Sequence, residues 1–101
     1  MVDNEEYEDT FTFLFYIKVS DLQDRLNDFF VSTGLAKEED KSYFPRPLFT
    51  ADVNGYGKEE DDCKWDAQKR LKDSIKKCVV MLSEKTKTEI KIEKLGIFDI
   101  L

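Results

Sequence analysis

Thr10-Phe11-Thr12-Phe13-Leu14-Phe15-Tyr16-Ile17-Lys18-Val19 is the stretch on which the fold turns. Phe11, Phe13, Phe15, Ile17 and Val19 recur at period two, so an extended chain puts all five on one face. Thr10, Thr12, Leu14, Tyr16 and Lys18 fall on the other. Leu14 and Tyr16 make that second face half apolar, which suits a central strand with neighbours on both sides. The spacing therefore predicts a strand over residues 10–19.

A helix follows. Ser20 and Gln23 have capping-box spacing, and Asp21 and Asp24 occupy the first turn, where the helix dipole favours anions. Leu22, Leu26, Phe29 and Phe30 form an apolar stripe at helical spacing. Gly34 is the expected stop, because glycine adopts the left-handed cap conformation at little cost. Residues 37–41 read as a polar loop. Tyr43 to Val53 is apolar enough for a strand, but Pro45 and Pro47 each remove a ladder donor. Pairing is therefore expected only from Leu48 to Val53, with Asn54-Gly55 as a tight turn.

A long second helix is expected from a cap at Asp61 or Asp62 to about Ser83. Ala67, Leu71, Ile75, Cys78 and Leu82 share one face at helical steps. The competing reading ends this helix near Lys77 and makes Cys78 to Leu82 a strand, on the strength of Val79-Val80. Thr88 to Lys94 alternates like a strand, with Ile90 and Ile92 inward. Gly96 is expected to break it before a last short apolar strand or docked tail over residues 97–101. This order predicts an α+β fold: a three- to four-stranded, mainly antiparallel sheet with two helices packed on one face. A ferredoxin-like split βαβ arrangement is one member of that class.

The chain has 101 residues, 22 of them Asp or Glu and 16 Lys or Arg, for a formal net charge of −6. That length suits one domain, residues 1–101, with residues 1–9 as an acidic N-terminal segment. There is no His, so the commonest general base and metal ligand are missing, and no Ser-His-Asp or Cys-His arrangement can form within the chain. Two cysteines and scattered carboxylates make a poor zinc site. Neither a phosphate-binding loop nor a dinucleotide fingerprint occurs. No cofactor, metal or catalytic residue is expected, and the protein reads as a non-enzyme. The longest apolar run, Phe13 to Ile17, is far short of the ~20 residues that span a bilayer. The acidic start is unlike a secretory leader, so no membrane partner and a cytoplasmic setting are expected.

Three patterns resemble chemical sites and each has a plainer reading. Asp52-Val53-Asn54-Gly55-Tyr56-Gly57 resembles the first half of a calcium loop, but Tyr56 and Cys63 stand where oxygen ligands are needed. It reads as a turn before a helix. On one continuous helix Cys63 and Cys78 lie 15 residues apart, roughly 22 Å, so a disulfide and the long helix exclude each other. They read as buried or half-buried thiols. Glu59, Glu60, Asp61 and Asp62 have no nucleophile beside them and read as a solvated helix start.

Charge is concentrated in blocks. Residues 1–9 hold five acids and no base, and 59–62 are all acidic, whereas 63–87 hold eight bases and three acids. Glu5, Glu6, Glu8, Asp9, Glu59, Glu60, Asp61 and Asp62 are the candidate partner-binding residues. Single-sign potentials of this kind steer a complementary partner. The expected partner is a protein with a basic surface, such as a nuclease or other nucleic-acid enzyme. In composition the chain resembles phage accessory proteins and toxin-immunity proteins, which implies an inhibitor or adaptor of the anti-defence (anti-CRISPR or DNA-mimic) or immunity type.

The alternative is a nucleic-acid or nucleotide-binding module using Trp65, Lys69, Lys72 and Lys76 as a phosphate-binding face. Net negative charge argues against general nucleic-acid binding. A small structural subunit assembling through a sheet edge is the further alternative.

Overall fold

The computed structural model describes residues 7–39 and 48–99. In chain order these form β1 (Tyr7–Val19), α1 (Gln23–Ser32), β2 (Lys37–Glu39), β3 (Leu48–Gly57), α2 (Glu60–Thr86) and β4 (Ile92–Asp99). The four strands make one sheet in the order β2-β3-β1-β4, and every pairing is antiparallel. β3 separates β1 from β2, and β1 separates β3 from β4, so each strand–helix–strand unit is split by a strand of the other. This is the ferredoxin-like split βαβ order, an α+β fold with both helices on one face of the sheet.

β1 is central, as its two-sided apolarity requires. Phe13, Phe15, Ile17 and Val19 are buried toward the helices, while Leu14 and Tyr16 on the opposite face are half-buried. The Phe15 ring stacks on Phe49 at 5.3 Å between centroids and meets Phe30 edge-on at 5.6 Å. Phe30 in turn meets Phe49 edge-on at 5.3 Å, so β1, α1 and β3 converge on three aromatic rings. Each such ring contributes roughly 1.5–3 kcal/mol by leaving water. Ala67, Leu71, Ile75, Cys78, Val79 and Leu82 present the buried stripe of α2 to this core. Both cysteines are free and buried, and burial pushes the Cys78 thiol above its ordinary pKa.

Several boundaries differ from those expected. β1 begins at Tyr7 instead of Thr10, because its acidic start pairs with β3: Tyr7 lies opposite Gly57 and Asp9 opposite Gly55. Asn54-Gly55 is therefore not a turn but part of β3. Its side chains are used on the ladder, with Thr10 Oγ1 donating to Asn54 Oδ1 at 2.7 Å and Thr12 Oγ1 donating to Asp52 Oδ1 at 2.6 Å. Residues 37–39 form a short edge strand against Leu48–Thr50 where a loop was expected. The expected strand portion from Tyr43 to Pro47 lies outside the described residues.

Helix α2 is continuous through Thr86, which removes the strand alternative at Cys78–Leu82; Cys78, Val79 and Leu82 all pack into the core from one helical face. Its N-cap is Glu59, with no side-chain cap, so neither Asp61 nor Asp62 plays that part.

The capping box at Ser20 also does not form. Leu22 occupies the cap position in the left-handed region, at φ 58°. Gln23 turns back onto β1: Val19 N donates to its Oε1 at 2.9 Å, and its Nε2 donates to Ile17 O at 3.0 Å. Ser20 is used instead to hold the segment before β4, donating its N–H to Lys91 O at 2.9 Å and accepting from Lys91 N at Oγ. Gly34 does take the left-handed conformation expected of a helix stop, at φ +80°.

β4 starts at Ile92 and runs through Gly96 without a break. Gly96 lies opposite Tyr16, and a Cβ there would sit 2.4 Å from the Tyr16 ring. That ring covers the glycine and stacks on Phe98 at 6.0 Å, so the missing side chain is filled by the neighbouring strand's aromatic.

Candidate functional site

Two surfaces carry the residues singled out by sequence. The first is an acidic end. Because Tyr7 pairs with Gly57, the start of β1 lies beside the end of β3, and α2 begins three residues later. Cys63 Sγ donates to Tyr7 O at 3.4 Å, which closes the first turn of α2 onto the start of β1. Glu8, Asp9, Glu59, Glu60, Asp61 and Asp62 are thus brought to one end of the molecule, and all six are exposed. Glu5 and Glu6 lie outside the described residues.

The members of this end are not equivalent. Glu8 Oε2 accepts from Asn54 Nδ2 and from Tyr56 Oη, both at 3.0 Å. Its carboxylate is held on the ladder, and it raises the Tyr56 phenol above its ordinary pKa. Glu60 and Asp61 border a recess of about 490 Å³ between β1 and the first turns of α2, with Phe11 on its wall. Asp99 joins them there from β4, since β4 pairs with β1 at Phe13↔Asp99. Lys64 Nζ sits 2.6 Å from Asp99 Oδ2, and the hydrogen bond to Asp99 raises the Lys64 pKa, with smaller help from Asp61 and Glu60. Asp99 is the residue that sequence reasoning missed. No spacing rule signals it, because its place depends on the β1–β4 register.

The second surface is a groove of about 830 Å³ between α2 and β4. All four residues of the alternative site line it: Trp65, Lys69, Lys72 and Lys76 come from α2, and Ile92, Leu95 and Ile97 from β4 supply an apolar floor. The apolar floor was not legible beside the lysines in sequence, since the two lie sixteen or more positions apart. Trp65 is 72% exposed.

Asp66 also lines this groove, at its β3 side, where its Oδ2 accepts from Tyr56 N at 2.9 Å and from Arg70 Nε at 2.7 Å. The Arg70 guanidinium and the Tyr56 N–H hold the Asp66 carboxyl below its ordinary range. This arrangement ties α2 to β3 and leaves the lysine flank facing β4.

Asp52 and Asn54 lie on the β3 ladder and form no calcium loop. Among the described residues, no group of three or more Cys, Asp or Glu side chains is placed to hold a metal ion. No described helix is long and apolar enough to cross a membrane. No family model, curated protein or solved structure matches this chain. By fold and surface it is a small acidic α+β protein with an acidic end and a separate basic, apolar-floored groove.

Proposed function

We propose that this protein is a non-enzymatic inhibitor or adaptor that docks its acidic end onto a basic, nucleic-acid-handling protein in the cytoplasm. The observation that supports this reading most is the convergence of two acidic segments, some fifty positions apart in the chain, at the β1–β3–α2 junction. Glu60, Asp61 and Asp99 border a recess there in which a partner's Lys or Arg side chain is accommodated, competing with Lys64 for Asp99. Carboxylates placed this way occupy a basic groove where phosphates otherwise lie. Anti-defence and toxin-immunity proteins are the two forms such an inhibitor takes.

The test starts with capture of the partner from the host, followed by association kinetics. Glu59→Gln with Glu60→Gln removes two charges and keeps shape. This double variant is expected to associate severalfold more slowly while dissociating at nearly the parental rate. The difference should shrink as salt rises from 0.1 M to 1 M, because the Debye length falls from about 10 Å to about 3 Å. Loss of binding in a Lys72→Gln, Lys76→Gln variant, with binding intact in the glutamate variant, overturns the acidic-end reading and shifts the function to the basic groove.

A further inference from the structure

The groove beside β4 has features that the acidic end does not explain. β4 is an edge strand of the sheet, and among the described residues its outer edge pairs with no strand. Helix α2 lies over β3 and β1, and α1 packs toward α2 and β2, so neither helix covers β4. As a result Ile92, Leu95 and Ile97 point toward the helix layer yet are only half-buried. Above them stands the lysine flank of α2. Among the described residues, Lys69, Lys72 and Lys76 enter no ion pair, and Asp66, the one carboxylate lining the groove, is bonded to Arg70, with Lys69 close enough to favour its charge.

We propose that this groove binds an extended acidic segment of another protein. The segment adds to the free edge of β4 and turns alternate glutamates to the helix side, where their methylenes lie over Ile92, Leu95 and Ile97 and their carboxylates meet Lys69, Lys72 and Lys76, while the apolar side chains between them fall on the other face beside Phe98. Strand addition supplies affinity through main-chain hydrogen bonds and specificity through alternate side chains.

Charge complementarity selects the occupant. A second copy joined edge to edge through β4 brings two rows of these lysines to one seam, where they repel. A single nucleic-acid strand suits the charge, but Trp65 is the one aromatic side chain lining the groove, and an aliphatic floor offers bases little to stack on. The main-chain groups of the β4 edge would also stay unused. This site is separate from the acidic end, so either stands if the other fails.

Isotope-labelled protein is titrated with three probes: a capped peptide of alternating valine and glutamate, the same peptide with glutamine for glutamate, and a single-stranded oligothymidine of similar length. The valine–glutamate peptide is expected to shift the amide signals of residues 92–99 and slow their hydrogen exchange. N-methylation of alternate peptide residues should abolish binding in one of the two registers, which a merely groove-filling ligand does not require. Changing Lys69, Lys72 and Lys76 together to Gln, with an unchanged melting temperature, should weaken binding about tenfold, as should the glutamine peptide. Undisturbed residues 92–99 at about 1 mM peptide overturn the proposal. So does unchanged affinity in the triple variant, or tighter binding of oligothymidine than of the acidic peptide.

Discussion

Gly55 lies directly beneath Cys63, so close that a Cβ at position 55 would sit 1.8 Å from the Cys63 carbonyl oxygen. The first turn of α2 therefore rests on bare backbone, and Gly57 extends the same platform under Asp62. This contact holds Glu59 to Asp62 against the start of β1. Gly55→Ala must push backbone against backbone, because no flexible side chain is there to yield. A loss of about 3 kcal/mol is expected, at the upper end of overpacking costs. Thermal unfolding should show a melting temperature more than about 10 °C lower. A variant that melts like the parent would mean that α2 does not land on β3 in this way.

Asp66 sets a pH dependence whose sign follows from its partners. Its folded-state pKa lies below the ordinary 3.8 because the Arg70 guanidinium and the Tyr56 N–H favour the carboxylate. An acid with a depressed folded pKa contributes stability above its unfolded pKa and loses it as pH falls through the folded value. Asp66→Asn should accordingly melt lower than the parent at neutral pH. The gap should close as pH is lowered from about 4 to about 2, where both chains carry a neutral group. Parallel melting curves over that range, with a constant gap, would show that the charge of Asp66 is not what matters.

Lys87 closes α2 in the left-handed region at φ 56°, where a side chain is strained and glycine is not. Its side chain is exposed, so little packing is lost by removing it. Lys87→Gly is expected to stabilise the protein by about 0.5–1 kcal/mol, read as a melting temperature about 2–8 °C higher. A lower melting temperature would show that the lysine's own contacts outweigh the strain.

Sequence periodicity alone was enough to place the central strand, both helices and the fold class. Phe11 to Val19 alternates so strongly that no helix accommodates it, and the stripe from Ala67 to Leu82 leaves one helical face apolar. The inward position of Cys78 followed from the same stripe; Cys63, outside it, is buried where the first turn of α2 meets β3. Local rules failed wherever a residue's partner lay far along the chain. Asn54-Gly55 has the composition of a turn, yet the glycine serves the close approach of α2. Gly96 has the look of a strand breaker, yet Tyr16 fills its place. Ser20 and Gln23 have the spacing of a capping box, yet both are recruited by neighbouring segments, one by Lys91 and the other by β1.

The chain by itself determined which segments are charged: the acidic residues 1–9 and 59–62 and the basic flank of α2 are facts of composition. Only the tertiary structure decided which of them meet. Pairing of Tyr7 with Gly57 brings Glu8 and Asp9 to Glu59–Asp62, and pairing of Phe13 with Asp99 adds a carboxylate from the last strand. The course of α2 over β3 and β1, away from β4, places an aliphatic floor beneath Lys69, Lys72 and Lys76. The physical reason is one of range. Hydrophobic alternation acts between residues two to four apart and is written in the sequence, whereas strand order and helix landing depend on which distant backbones can approach, and that is settled by packing.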